Sequence, residues 1–259
     1  MEDLDLAIEA ARAGAGVVLG RFGSPGAADY KADDSPVTAV DRDAETAILS
    51  VLRKARPDDA ILSEEGAGDA GAGMGRRWIV DPLDGTVNFM NDVPQVSVSV
   101  ALYDGDQPLA GVVKDVVTGE EFTATAGKGA HLNGSAIVAS SRTDLHTAVV
   151  ATGFPYDHRE RADELVAVVA AVLRHVQGIR RFGSAELDLA WTAAGRFDGY
   201  FELSVSPWDI AAGLLLVTEA GGLATDVEGS PAVPGTSELV AAGPDIHGEL
   251  RSIVAGTSD

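Results

Sequence analysis

The sequence contains no cysteine, which excludes disulfides, thiolate nucleophiles and Cys-ligated zinc. It is short of positive charge: 19 Lys and Arg stand against 40 Asp and Glu, a net charge of −21. A surface of that sign repels nucleic acid and anionic membrane, and no basic stripe interrupts it. No apolar run is long enough to cross a bilayer. The longest, near Leu165 to Leu173, falls well below the roughly 20 residues that a spanning helix needs. Glu2, Asp3 and Asp5 give the start of the chain the wrong charge for a secretion signal, so a cytoplasmic location is expected. Histidine is scarce and scattered, at 131, 146, 158, 175 and 247, with no pair at ligand spacing. What remains is a chain of 259 residues, 46% apolar, ordinary for a globular protein and sufficient for one large or two modest domains. The acidity sets a condition on function. An anionic ligand would have to be drawn in by something other than net charge, and bound metal ions are the local remedy.

The stretch richest in chemistry is Trp78-Ile79-Val80-Asp81-Pro82-Leu83-Asp84-Gly85-Thr86-Val87-Asn88-Phe89. Its apolar start reads as a short buried strand that stops at two acids three residues apart. Pro82 pushes Asp81 to extended geometry, and Gly85 permits positive φ or close backbone approach. Two carboxylates on a stiff turn, followed by a glycine and a hydroxyl, suit a hard divalent cation together with an anion. The same residues would also suit an Asp-rich turn after an edge strand, so the stretch alone leaves both readings open.

Taken in order, the chain opens with a helix expected over 4–22, stopped by Gly23. Thr38, with Asp41 three residues on, predicts the start of a second helix with Asp41 as a capping acid. Ala60 to Leu62 reads as a strand ending at Ser63-Glu64-Glu65-Gly66. The glycine-rich stretch 66–75 formally matches GxGxxG. No helix pattern opens after it, however, so it is read as a mobile loop or lid. Residues 95–126 alternate as an antiparallel meander. Further on come a strand at Ala148–Ala151, a helix from Glu160 to His175, a strand at Ile179–Phe182, and a helix opening with Ser184 as its N-cap. A strand carrying Glu202 follows. Ser206-Pro207-Trp208-Asp209 then starts a helix, with Pro207 at its first position and Asp209 in its first turn. Strands and helices alternate irregularly, which predicts a layered α/β or α+β architecture rather than a doubly wound sheet.

Four separated segments together resemble the inositol monophosphatase family. Asp81 to Phe89 is similar to its first signature, and Trp208-Asp209-Ile210-Ala211-Ala212-Gly213, running on to Gly221-Gly222, to its second. Ser63-Glu64-Glu65 resembles the family's Gly-Glu-Glu segment, with Ser in place of Gly. Ser35-Pro36-Val37-Thr38-Ala39-Val40-Asp41 resembles its Pro-Val-Thr-x-x-Asp segment. The likeness covers nearly the whole chain. It implies a layered sandwich of alternating helix and sheet layers of the sugar phosphatase type, one unit over 1–259. An N-terminal half (1–140) would carry most metal ligands, and a C-terminal half (141–259) Asp209 and the substrate contacts.

The resemblance also implies roles. Glu64, Asp81 and the backbone carbonyl of Leu83 would hold one Mg²⁺, and Asp81, Asp84 and Asp209 a second. A third, weaker ion would use Glu64 again, and Li⁺ would compete and inhibit. Asp41 and Thr86, with Glu64, would form the catalytic set that positions and deprotonates water. Gly85 and Thr86 would bind phosphate through their N–H groups, and Asp84, Ala185 and Glu202 would contact the alcohol. Lys31 is a candidate phosphate neighbour. Glu186, if it faces the pocket, would favour a polyol or a cationic group. The implied activity is Mg²⁺-dependent hydrolysis of a small polyol monophosphate, inositol 1-phosphate first, by a homodimer. Fructose 1,6-bisphosphate or histidinol phosphate are alternative substrates in the same superfamily. A non-catalytic, metal-binding regulatory protein is the alternative of a different class.

Overall fold

In the computed structural model, the residues described are 2–24, 26–31, 35–66 and 75–256. Most of the expected lid at 66–75 lies outside them. Two long helices, α1 (Asp3–Leu19) and α2 (Ala39–Ala55), open the chain, with a small hairpin of β1 (Ala28–Tyr30) and β2 (Pro36–Thr38) between them. A seven-stranded sheet follows. Its strands stand in chain order: β3 (Ala60–Ser63), β4 (Arg76–Asp84), β5 (Ser97–Asp104), β6 (Gln107–Asp115), β7 (Glu121–Thr125), β8 (Ala130–Leu132) and β9 (Ser135–Ile137). Only β3 and β4 pair in parallel; the rest is the expected meander.

The second sheet has five strands: β10 (Val149–Thr152), β11 (Gly178–Arg180), β12 (Gly199–Leu203), β13 (Leu223–Thr225) and β14 (Glu238–Ala242), in the order β11-β10-β12-β14-β13. Helices α5 (Ala185–Ala193) and α6 (Pro207–Glu219) lie between the two sheets. Helices α4 (Ala162–Leu173) and α7 (Pro244–Ala255) cover the outer face of the second. The layers therefore run helix, sheet, helix, sheet, helix.

Strand alternation builds these layers, because successive side chains of a strand point to opposite faces. In the first sheet Trp78, Val80, Val98, Val100 and Val112 pack under α1 and α2, while Ile79, Ala101 and Val113 pack under α5 and α6. In the second sheet Tyr200, Leu239 and Ala241 face the central helices, while Phe201, Val240 and Ala242 face α4 and α7. The central helices are covered on both sides. That explains why α6 is apolar nearly all round, from Ile210 to Val217.

The structure corrects the expected end of β4. The strand does not stop at Val80 but runs through Asp84, with a register shift between Asp81 and Asp84 against β5. Nor is it an edge strand, since β3 and β5 flank it. A bulge re-aims side chains without ending the ladder, which is how two acids three residues apart reach one site from a buried strand. Among the described residues, no helix is long and apolar enough to cross a membrane.

Candidate active site

A cavity of about 710 Å³ opens where β4, the starts of α3 (Thr86–Met90), α5 and α6, and the segment 153–158 meet. Lys31, Glu64, Asp81, Leu83, Asp84, Gly85, Thr86, Ala185, Glu202 and Asp209 all line it, having come from six separate stretches of chain. Asp41 stands just behind this lining, held by Thr86. Of the residues expected at the site, the structure leaves out Glu186 alone.

Helix starts do the positioning. At the start of α2 the Asp41 carboxylate accepts the Thr38 N–H (2.8 Å) and the Thr38 hydroxyl (2.6 Å) on Oδ2, while the Thr86 hydroxyl lies 3.1 Å from Oδ1. Asp41 is thus both the capping acid and the partner of Thr86. The Thr86 hydroxyl also lies 3.1 Å from the Leu83 carbonyl, so it has two acceptors within reach. Gly85 turns the chain into α3 at φ 91°, where a side chain would meet the Gln95 carbonyl at 2.8 Å. Asn88 then donates to the carbonyls of Gln95 (2.8 Å) and Phe182 (2.7 Å), tying α3 to the loop that enters α5. At α6 the Ser206 N–H donates to Asp209 Oδ2 (2.7 Å).

At α5 the arrangement differs from expectation. Ser184 occupies the N-cap position but does not cap with its own side chain. Its hydroxyl donates to Asp84 Oδ2 (2.5 Å) instead, and Asp84 receives the helix's first N–H groups: Ala185 on Oδ1 (3.2 Å) and Glu186 on Oδ2 (3.0 Å). With Ser97 also donating at 3.0 Å, Asp84 has four donors and caps α5 from a neighbouring strand.

Glu186 is a correction. Its carboxylate points away from the cavity into the α5–α6 interface, accepting the N–H of Ala212 (3.1 Å) and of Gly213 (2.7 Å). Burial, then the Asp84 charge, pushes its pKa well above the usual carboxylate range. It can favour no group on a substrate. Lys31 does face the cavity, bridging Glu64 (2.9 Å) and Glu65 (2.7 Å). Burial works against its ammonium, but those carboxylates outweigh it and hold its pKa above the ordinary lysine value.

The acids crowd one another. Burial first, then neighbouring carboxylates, raise Asp81 and Asp209 well above the usual range. Glu64 is pushed up to about 7 by burial, although Lys31 opposes the shift. Glu202, at the far wall, also reaches about 7 through burial, even though it accepts the Tyr200 hydroxyl. Among the described residues no three acids, imidazoles or thiols stand together closely enough to hold a metal ion as arranged. The donor set nonetheless fits a hard cation. Asp81 gives one oxygen to the Leu83 N–H and Asp209 one to Ser206, so each keeps an oxygen that no described hydrogen bond reaches. Glu64 holds a cationic ammonium already, and like charges converge with too few cations to balance them.

The cavity is also lined by Trp208, which opens the second signature segment, and by residues that carry no motif: Asp188, Arg181, Phe154 and Tyr156. Asp188 had one available signal, since it lies three residues after Ala185 and so on the same helix face.

The sequence profile of the inositol monophosphatase family matches residues 1–257. The chain belongs to the inositol monophosphatase family. Its relatives include Nus factor SuhB of Escherichia coli K12, 39% identical over 258 residues, spanning 99% of this chain and 96% of that protein. Inositol-1-monophosphatase of Rhizobium meliloti is 42% identical over 229 residues, 88% of this chain and 84% of that protein. Among solved structures, extragenic suppressor protein suhB from Bartonella henselae superposes with a TM-score of 0.91 at 37% identity, covering 96% of this chain and 97% of that one. Family membership and the layered sandwich agree with the four sequence segments that suggested them.

Proposed function

We propose that the cavity hydrolyses a small phosphate monoester, a polyol monophosphate such as inositol 1-phosphate, with Mg²⁺ held by Glu64, Asp81, the Leu83 carbonyl, Asp84 and Asp209. The observation that carries this reading is the Asp41–Thr86 pair, a carboxylate behind a hydroxyl at the edge of a ring of acids. When bound, Mg²⁺ supplies charge neutralisation for phosphate and a water of lowered pKa. The chain does the rest. Thr86 Oγ1 holds the attacking water, and Asp41 Oδ1 takes up the proton that Thr86 relays. Gly85 and Thr86 present the first turn of α3 to the phosphate. Ala185 leaves room for the alcohol, and Glu202 accepts its hydroxyls. The water attacks directly and no phosphoenzyme forms. Li⁺ would inhibit by competing with Mg²⁺, and the working form would be a cytoplasmic homodimer.

The test is phosphate release from inositol 1-phosphate, fructose 1,6-bisphosphate, histidinol phosphate and adenosine 3′,5′-bisphosphate, with Mg²⁺ and with chelator. Thr86→Ala is the variant to run beside the wild type, because Asp84 also caps α5 and its replacement would confound chemistry with folding. Chelator should abolish release, and Thr86→Ala should lower kcat about 10²-fold or more. Release that survives both would overturn the reading.

The 39% identity to proteins named Nus factor favours a second reading, action as a protein partner in transcription. The two part at Thr86→Ala, which would stop turnover and leave a protein–protein role intact.

A further inference from the structure

The cavity wall formed by 153–158 is pinned at both ends. At one end Arg181 lays its guanidinium over the Phe154 ring, 5.7 Å from the centroid. At the other a short 3₁₀ turn, Tyr156–Arg159, closes on Pro155. The His158 N–H donates to the Pro155 carbonyl (3.1 Å), and the His158 ring nitrogen Nδ1 lies 2.8 Å from the same oxygen. Pro155 fixes the entry to the turn, with φ at −65°. Tyr156, the first residue of that turn, lines the cavity and is 41% exposed, so a ligand entering from solvent can reach it. The charges of Glu64, Asp209, Asp81 and Asp84 all act on its hydroxyl, which places that hydroxyl on the side of the acids. No described hydrogen bond reaches it.

Three donors on the other walls are already committed. The Thr86 hydroxyl has Asp41 and the Leu83 carbonyl within reach, the Ser184 hydroxyl donates to Asp84, and the Lys31 ammonium is held by Glu64 and Glu65. Lys31 shows what becomes of a cation here: the carboxylates claim it. A phenol carries no charge. Burial, then those four acids, raises the Tyr156 pKa above the ordinary tyrosine value, so the group keeps its proton at neutral pH. An ionised phosphoryl oxygen is a strong acceptor for such an O–H, and a donor carried on a pinned turn loses little freedom in meeting it. We propose that Tyr156 is a substrate-binding residue whose hydroxyl donates a hydrogen bond to a phosphoryl oxygen, from a different wall of the cavity than α3. The inference rests on the phosphatase reading above and deepens it. Tyr156 recognises the phosphoryl group rather than the alcohol, so it acts alike on every monoester.

The experiment compares wild type, Tyr156→Phe and Tyr156→Leu in the presence of Mg²⁺. Calorimetric titration with inorganic phosphate reads binding without turnover. Phosphate release from inositol 1-phosphate and from p-nitrophenyl phosphate, two monoesters with unlike alcohols, reads turnover. Tyr156→Phe removes the hydroxyl and keeps the ring. Its Kd for inorganic phosphate should rise about tenfold and its kcat/KM should fall about tenfold on both esters, the effect of losing one hydrogen bond to a charged acceptor. The rise in Tm that Mg²⁺ alone induces should match the wild type's, because the hydroxyl is not a metal ligand. Tyr156→Leu should lose at least as much as Tyr156→Phe. A Tyr156→Phe protein that binds phosphate like the wild type overturns the proposal, and a defect confined to Tyr156→Leu does the same by assigning the effect to the ring. A loss on inositol 1-phosphate alone, or a weakened response to Mg²⁺, overturns it as well. In each of these cases release by the wild type leaves the phosphatase reading in place. A wild type that neither binds phosphate nor releases it from either ester overturns both.

Discussion

Glu186 and Asp188 sit two residues apart on α5, and neither side chain is more than 1% exposed. Two residues along a helix turn the side chain by about 200°, so the acids point to opposite sides. Glu186 faces α6 and is answered by two backbone N–H groups. Asp188 faces the cavity, and its Oδ1 is answered by nothing in the described chain. The same division runs through the site. Asp84 receives four donors and holds α5 in place, whereas Asp81 and Asp209 each give the chain one oxygen and keep one. Burial alone therefore does not mark a functional acid in this protein; an unmet acceptor beside the cavity does. The acids answered by the chain are expected to carry stability, and the unanswered ones to carry chemistry at some expense of stability.

The largest effect should come from Asp81→Asn. The amide keeps an acceptor for the Leu83 N–H but loses a charge that the metal reading requires, so kcat/KM should fall by about 10³-fold or more. Its metal-free Tm should equal or exceed the wild type's, as repulsion among the carboxylates is relieved. Loss of fold in this variant would break the division just drawn. Glu186→Ala should do the reverse. Two buried N–H groups lose their acceptor and a gap opens between α5 and α6, lowering stability by about 2 kcal/mol, or a Tm drop of roughly 4–8 °C. Its kcat should stay within about threefold of wild type.

A smaller effect concerns pH. Burial raises Glu64 and Glu202 to about 7 in the folded chain, from an ordinary carboxylate value of 4.5. Between those values the folded state holds protons that the unfolded state has released. Their contribution to stability is complete below about pH 4.5 and is lost as pH rises through 7. The Tm of metal-free protein, followed by calorimetry, should accordingly fall by about 5 °C between pH 5 and 8. Saturating Mg²⁺ should flatten that slope, since it stabilises the ionised carboxylates.

Much of this was legible in the sequence because helix starts and metal ligands use the same residue types. Thr38 with Asp41 and Ser206-Pro207 with Asp209 announce helices and sit at the site for the same reason, an acid held in a first turn. The strand alternation that sorts side chains into layers was likewise visible as period-two patterning. Three features were hidden. Pro82 reads as a strand stop, and only pairing with β5 carries β4 past it, since the ladder with β3 ends at Val80. Ser184 reads as a cap, but its hydroxyl is claimed by Asp84, a residue 100 positions away. Glu186 drew notice because it follows Ala185 directly, although helical spacing puts Asp188, not Glu186, on the face that Ala185 presents to the cavity.

The most direct test of the division between answered and unanswered acids is a Mg²⁺ titration followed by thermal unfolding at pH 7.5, on wild type, Asp81→Asn and Glu186→Gln. Binding to the folded state alone raises stability by about 2.7 kcal/mol at one hundred times Kd. The wild type and Glu186→Gln should show the same saturable rise in Tm, and Asp81→Asn should show none. An equal rise in Asp81→Asn would contradict the account, because it would place the ion somewhere other than at the open carboxylate of β4.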